Sequence, residues 1–240
     1  MKYTSKLILN WTEYEFGAVW GGGWQPWANT IAYYPLTSTT TVNDMSWNNR
    51  TLTWTWNYAF GTYAWVDCCY FNVWMLSASI PDIQDNDWFT LNIWYNEKSA
   101  PNYDNGWVLE LAENNYPDSP NWIVRTKWRP NSSYWVVWYI SWTLWNPIIT
   151  TSFNWTLWAW HNYCYTQENW IGVFYTDGVQ IWTLTFPYNH TRNMLHISRK
   201  TGYDRSIIWY VSNAIYENKV WNAQEISAYF DQTKSLYWIS

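Results

Sequence analysis

Apolar and polar side chains alternate along most of this chain, and this period of two limits the fold more than any other sequence feature. In residues 88–95, Phe89, Leu91 and Ile93 fall on one face of an extended strand, because successive strand side chains point to opposite sides. Further strands are predicted at residues 31–36, 51–58, 107–112, 121–127, 134–141, 147–153, 160–167, 171–175, 179–185, 194–197 and 207–215. Many short strands separated by Asn, Pro, Asp and Ser turns predict an all-β chain, a two-layer antiparallel β-sandwich of the jelly-roll type.

The N-terminus differs from the rest of the chain. Residues 1–16 pattern as a β-hairpin, with Asn10-Trp11 where a two-residue turn is expected. A glycine-rich stretch then continues to the first strand of the main body. We therefore predict two parts, an N-terminal hairpin with its linker at residues 1–29 and a sandwich domain at residues 30–240.

A single helix is predicted, close to the C-terminus. Asn222 and Glu225 have the spacing of a capping box, in which each side chain bonds the backbone N–H of the other. Ile226 and Tyr229 then share one helical face. The helix is expected over residues 223–232, packed on the sandwich by that face.

Composition excludes several classes of function. Charged residues make up 13% of the chain, the net charge is −5 and there is no basic run, so nucleic acid is not an expected partner. No stretch reaches about 18 consecutive apolar residues, so membrane insertion is not expected. No secretory signal is recognisable at the N-terminus. Cys68, Cys69 and Cys164 lack metal-ligand spacing and are expected to be buried thiols; a bridge from either of the first two to Cys164 is the alternative.

Tryptophan is almost three times as common as glycine in this chain, and it occupies places that suit glycine. The chain has 26 Trp and 9 Gly, whereas glycine averages about 7% of residues in proteins. Trp11 and Trp47 lie in a predicted turn and a predicted loop. We hypothesise that many Trp residues are glycine in the native protein, through a stop codon reassigned to glycine; Trp94 and Trp160, in strand contexts, are expected to be authentic. A truly Trp-rich sugar-binding protein is the alternative.

The order of several motifs resembles the laminin-G-like jelly roll of the concanavalin A-like lectin/glucanase superfamily. The resemblance covers about residues 30–235. The motifs are Ile-Ala-Tyr-Tyr-Pro-Leu at 31–36, Asn-Asp-Met-Ser-Trp-Asn at 43–48, Phe-Thr-Leu-Asn-Ile-Trp at 89–94, the Trp-His strand at 157–163, the Asp-Gly hairpin at 173–179 and the closing strand and helix at 215–226. The resemblance implies that this chain, like members of the family, binds glycans or protein surfaces.

The same resemblance implies a structural calcium ion. Asp44 matches a loop position that commonly ligates calcium in the family, and Asn48 belongs to the same loop. In the closing strand, Ser212 and Asn213 stand where the family usually has an acidic pair. The candidate ligands are therefore Asp44, Asn48 and Asn213, although calcium prefers six to eight oxygens, mostly carboxylates and carbonyls. The alternative is that Asp44 caps its own loop.

Catalytic patterns are missing from the sequence. Glycanases of this superfamily place an acid and a nucleophile on one face of a strand. Glu110 and Glu113 are three positions apart, an odd offset, so they would face opposite sides of a strand. His161, His190 and His196 are isolated. No catalytic residue is proposed, and the chain is not expected to be an enzyme.

The expected function is recognition of a glycan or a surface receptor by a non-catalytic binding module. A lectin-like fold without an export signal fits a phage virion or tail protein, which would work outside cells and contact other virion proteins. A bacterial cell-surface adhesin, or a carbohydrate-binding module of a secreted protein, is the alternative. A glycoside hydrolase of the same superfamily comes third. The sequence does not identify the residues that contact the ligand.

Overall fold

Two antiparallel β-sheets, packed face to face, form the body of the protein in this computed structural model. The structure describes residues 5–9, 12–16, 29–40, 42–55, 58–72, 75–84, 86–97, 106–112, 124–129, 133–138, 149–152, 159–185, 191–200, 208–237 and 239. Within these ranges, no helix has the length and apolar character needed to cross a membrane.

The described residues form seventeen strands, one α-helix and one 3₁₀ turn. The strands are β1 Ser5–Leu9, β2 Thr12–Phe16, β3 Thr30–Tyr34, β4 Thr53–Thr55, β5 Tyr58–Tyr63, β6 Val66–Asn72, β7 Met75–Gln84, β8 Phe89–Glu97, β9 Gly106–Ala112, β10 Val124–Arg129, β11 Ser133–Trp138, β12 Ile149–Ser152, β13 Trp160–Glu168, β14 Ile171–Thr176, β15 Val179–Thr185, β16 Thr191–Lys200 and β17 Ile208–Glu217. Helix α1 spans Ala223–Thr233, and the 3₁₀ turn spans Lys234–Tyr237.

The described strands form three sheets. The seven-stranded sheet has the order β12-β11-β10-β9-β16-β7-β4. The eight-stranded sheet has the order β15-β14-β13-β8-β17-β6-β5, with β3 also paired to β17. The first half of β17 pairs with β6 and its second half with β3, while β8 runs along its other side. Strands β1 and β2 form a separate hairpin. All pairings are antiparallel, so the predicted sandwich is confirmed.

The main core lies between the two large sheets. Strand β8 contributes Phe89, Leu91, Ile93 and Tyr95, all 1% exposed or less. Other buried members of this cluster include Leu76, Ala78, Leu109, Leu111, Tyr163, Tyr165, Phe174, Leu195, Ile197 and Val211. Inward-facing side chains from both sheets therefore bury a common apolar interior, as the alternation in the sequence predicts.

A second core lies on the outer face of the eight-stranded sheet, beneath helix α1. Trp94 points to this face and is fully buried. Its ring stacks on Tyr237 at a centroid distance of 3.9 Å and faces Phe230 at 5.7 Å. Trp160 lies on the same face and packs against Tyr237. Both Trp residues occupy the strand positions expected of authentic tryptophan.

The helix begins as the sequence predicts. The side chain of Asn222 accepts from the backbone N–H of Glu225, and the Glu225 side chain accepts from the backbone N–H of Asn222, each at 2.9 Å. Ile226 and Tyr229 are buried against the sheet. The capping box and the buried face are both confirmed, and the helix continues one residue beyond the predicted end.

One predicted strand is in fact two. Residues 51–58 alternate without interruption, but β4 belongs to the seven-stranded sheet and β5 to the eight-stranded sheet. The chain crosses between the layers here, and alternation carries no information about which sheet a residue joins. The N-terminal hairpin is confirmed, with Leu9 opposite Thr12. Its predicted turn, 10–11, and most of the predicted linker lie outside the described residues.

In the part of the chain that the structure describes, three hairpins have two-residue turns in which both central residues adopt positive φ, the type I′ geometry. They are Ala64-Trp65 (φ 47° and 67°), Asn169-Trp170 (φ 47° and 71°) and Asp177-Gly178 (φ 51° and 76°). In the third, a Cβ on Gly178 would meet the Phe230 side chain of α1 at 3.1–3.3 Å. Tryptophan thus occupies, in two turns, the place that glycine holds in the third.

Replacing Trp65 by glycine is expected to stabilise the printed chain. Trp65 is 84% exposed, so little burial is lost, while relief of the left-handed conformation gains about 1–2 kcal/mol. The midpoint of thermal unfolding should rise by about 2–6 °C. Trp88→Gly is the control, because Trp88 is 52% exposed but not at positive φ, and it should slightly lower the midpoint. Equal shifts for the two variants would contradict this account.

Candidate functional site

Asp44, the first predicted calcium ligand, is buried and saturated with hydrogen bonds. Its Oδ1 accepts from the backbone N–H of Tyr33 at 2.9 Å and of Ser46 at 2.8 Å. Its Oδ2 accepts from the Ser46 hydroxyl at 2.8 Å and from the backbone N–H of Arg50 at 2.7 Å. The carboxylate therefore ties its own loop to β3, as in the loop-capping alternative.

The other two predicted ligands also bond to the protein itself. The side-chain amide of Asn48 donates to the Thr30 carbonyl at 2.8 Å. Asn213 adopts φ 49° at the point where β17 changes partner, and its Oδ1 accepts from the Tyr33 hydroxyl at 3.0 Å. Tyr33 thus links Asp44, through its N–H, to Asn213, through its hydroxyl. The structure connects the three residues by hydrogen bonds between protein groups.

These contacts do not suit a calcium ion. A cation at Asp44 would meet donor hydrogens that already point at both carboxylate oxygens. Within the described residues, no group of three or more His, Cys, Asp or Glu could hold a metal ion. The geometry favours the loop-capping role of Asp44, and calcium binding stays a prediction.

A carboxylate pair that the sequence did not reveal lies where β17 meets the helix. Glu217 is fully buried; it accepts from the Thr30 hydroxyl at 3.2 Å and from the Trp221 indole N–H. Burial raises the pKa of Glu217 to about 7, and nearby Glu225 adds to the rise. Glu225 itself accepts from Lys219 and from the N-cap backbone. All four carboxyl oxygens are therefore engaged by protein donors.

His161 has a structural partner. Its Nδ1 lies 2.8 Å from Oδ2 of Asp177, whose Oδ1 accepts from the backbone N–H of Asn162 at 2.8 Å. Asp177 belongs to the type I′ turn between β14 and β15. The pair therefore fixes this turn against the start of β13.

The three cysteines are free and buried. No disulfide joins them. Burial raises the pKa of the Cys68 thiol to about 12 and raises that of Cys164 still further. Reactive cysteines depend on the thiolate, so these thiols are inert at neutral pH.

A row of side chains crosses five strands on the outer face of the eight-stranded sheet. Directly opposite residues in antiparallel strands share one face, and the register pairs Trp160 with Asn96, Asn96 with Tyr210, Tyr210 with Tyr70, and Tyr70 with Ala59. The row lies on the same face as Trp94. Its Trp160 end is buried against Tyr237, whereas Tyr210 and Tyr70 are half-buried and Ala59 is exposed. Alternation predicted β8, β13 and β17 but neither β6 nor most of β5, and only the register between distant strands assembles the row.

Three half-buried tyrosines group around this row. Tyr63 stacks on Tyr210 with a centroid distance of 3.9 Å and an interplanar angle of 6°. Tyr70 lies 5.2 Å from Tyr210, tilted by 38°. We name Tyr63, Tyr70 and Tyr210 the tyrosine surface. Gly61, on the same strand and face as Tyr63, is exposed, and a Cβ added there would meet no atom within 4 Å.

Comparison with known proteins identifies the fold but no family. No family model matches the chain, and no curated protein matches it. The binding domain of botulinum neurotoxin DC in complex with SialylT is similar, with a TM-score of 0.63 and 12% identity over 87% of this chain and 51% of that chain. A structure described for the dependence of botulinum neurotoxin type C cell entry on two ganglioside molecules gives the same values.

An enzyme structure is also similar. A mutant of Trypanosoma rangeli sialidase displaying trans-sialidase activity matches with a TM-score of 0.63 and 16% identity, over 90% of this chain and 35% of that chain. The chain spans about half the length of the neurotoxin domains and about a third of the sialidase. At these identities the likeness shows a shared β-rich, jelly-roll-like fold.

If Asp44 only caps its loop, calcium should leave the stability of the domain unchanged, because donors already occupy both oxygens of Asp44. The unfolding midpoint should be the same in excess calcium and in chelator. Asp44→Asn should lower the free energy of unfolding by about 1–3 kcal/mol, since it removes charge-assisted bonds from a buried loop. A clear rise in the midpoint with calcium, lost in Asp44→Asn, would restore the metal site.

Stability is expected to fall as the pH rises from about 4.5 to 7. The pKa of Glu217 is raised from 4.5 to about 7 in the folded state, so its contribution is complete below the unfolded pKa and is lost as pH rises through the folded pKa. The loss amounts to about 3 kcal/mol. Glu217→Gln should flatten this slope in urea unfolding between pH 5 and 8, whereas Glu225→Gln, which keeps the capping box, should retain it. Parallel profiles for wild type and Glu217→Gln would refute the assignment.

Proposed function

We propose that this chain is a non-catalytic binding module that recognises glycans. The observation that carries the proposal is a shared fold. The chain shares it with a botulinum neurotoxin binding domain in complex with SialylT and with a structure of botulinum neurotoxin type C, whose cell entry depends on interaction with two ganglioside molecules. Because a fold by itself does not fix function, a suitable surface is also needed. Half-exposed tyrosines, which combine a flat apolar ring with a polar hydroxyl, provide such a surface.

The absence of catalysis is part of the proposal. Glycoside hydrolysis needs two carboxyl groups facing the scissile bond, about 5–9.5 Å apart. Glu217 has the raised pKa of a general acid, but it is fully buried and held by Thr30 and Trp221. Its neighbour Glu225 caps the helix. This carboxylate pair supports the fold and offers a substrate no access, which argues against a hydrolase despite the sialidase likeness.

We also propose that this chain contains a laminin-G-like domain and works outside the cell, as part of a phage virion or tail. The order of the motifs along the chain supports the family. A cell-surface adhesin, or a module of a secreted protein, is the alternative. The position of the gene distinguishes the two, since a virion-structural gene cluster supports the first and a neighbouring secreted glycanase or surface-anchor gene supports the second.

We further propose that Trp65 and Trp170 are glycine in the native protein. Each is the second central residue of a type I′ turn, the position of Gly178 in the third turn. In the Asp44 loop, by contrast, the left-handed residue is Asn49 rather than Trp47. The intact mass of protein from its native host decides the matter, because a mass that agrees with the printed sequence excludes the reassigned codon.

The purified chain is expected to bind immobilised glycans without changing them. A glycan array with neutral and sialylated oligosaccharides should give concentration-dependent binding, and mass spectra of the same glycans after incubation should show no cleavage. Heat-unfolded protein is the control for non-specific adsorption. Released sugars would establish a hydrolase instead, and an array on which no glycan binds would overturn the proposed function.

A further inference from the structure

We propose that the tyrosine surface, together with Asn96, is a subsite for an uncharged oligosaccharide chain. The inference rests on the proposed glycan binding and gives it a location and a ligand class. Pyranose rings present a flat C–H face that packs on aromatic rings, and their hydroxyls bond side-chain amides. The row that joins Tyr70, Tyr210 and Asn96 places these two kinds of contact side by side across the sheet.

The amide of Asn96 points to a missing partner. Asn96 is fully buried, yet both polar atoms of its side chain lack a hydrogen-bond partner within the described part of the chain. Buried unpaired amides cost about 1–3 kcal/mol each and are rare. Hydroxyl groups of a sugar, which both donate and accept, match an amide that offers one donor group and one acceptor.

Asn92 provides the contrast within the same strand and face. It is also fully buried, but its amide exchanges two hydrogen bonds with Asn162, at 3.2 and 3.0 Å. The sheet therefore satisfies the buried amide in the middle of the strand and leaves the one near its end unsatisfied. Of the two neighbours of Asn96 in the row, Trp160 is buried and Tyr210 is half-buried. Asn96 itself has no exposed surface, so a ligand would contact the amide only after side chains on the less covered Tyr210 side move.

The dimensions and the charge of the row select the ligand. Neighbouring strands lie about 4.8 Å apart, so Tyr70 and Asn96, two strands apart, are separated by about 10 Å, the length of a disaccharide. The row from Trp160 to Ala59 contains no acidic or basic side chain. Burial raises the pKa values of Tyr63 and Tyr210, so these phenols stay neutral. The open space at Gly61 leaves room beside the rings.

The test uses the full chain and three neutral trisaccharides, maltotriose, cellotriose and triacetylchitotriose, with 3′-sialyllactose as the charged comparison, titrated by calorimetry. Tyr70→Ala and Asn96→Ala should each weaken binding of the best neutral trisaccharide about tenfold, as expected for one lost contact. Tyr58→Ala is the matched control, because Tyr58 lies on β5 but packs on the inner core. It should leave the affinity unchanged.

Unfolding measurements separate a ligand contact from a structural role. Asn96→Ala should keep or raise the unfolding midpoint, because it removes an unpaired amide, whereas Asn92→Ala should lower it. Trisaccharide binding that Tyr70→Ala and Asn96→Ala leave intact would overturn this subsite and keep the proposed function. Preference for 3′-sialyllactose would overturn the uncharged ligand class. Concentration-dependent dimers in place of sugar binding would assign the surface to a second copy of the chain and overturn both.

Discussion

Burial of both faces of the eight-stranded sheet is the constraint on which the rest of this structure depends. One face packs on the seven-stranded sheet, and the other is covered in part by the C-terminal helix, which stacks Phe230 and Tyr237 on Trp94. A strand buried on both sides carries polar residues into the interior, where each must find a partner. The Asn92–Asn162 pair and the bonds of Glu217 satisfy that requirement.

The same requirement decides which polar residues remain for function. Among the described residues, Asp44 and Glu217 accept from donors of the protein itself, and the His161 ring is held by the Asp177 carboxylate. Their charge and hydrogen-bonding capacity serve loops, turns and the junction between strand and helix. The proposed glycan subsite uses other groups, the half-buried rings of the tyrosine surface and the amide of Asn96.

Backbone geometry adds an independent constraint. Two-residue hairpins need both central residues at positive φ so that the turn matches the right-handed twist of the strands. The chain keeps this geometry at Trp65 and Trp170, although a bulky residue is strained there. The fold therefore depends on turn length and strand pattern more than on the identity of the turn residues. At these two turns the local preference of tryptophan for negative φ conflicts with the conformation that the sandwich requires.

Local features of the fold could be predicted from the sequence because they depend on near neighbours: the alternating strands, the Asp177-Gly178 turn and the capping box at Asn222 and Glu225. The division of residues 51–58 between two sheets could not, since alternation is the same in either layer. The raised pKa of Glu217 could not be predicted either, because Glu217 is buried by contacts that are distant in the sequence. One of them is the hydrogen bond from Thr30, 187 positions away. The row that joins Tyr70, Tyr210 and Asn96 likewise exists only through strand register. Sequence determined the elements, and tertiary structure decided the site, because contacts between distant strands set burial, pairing and exposure.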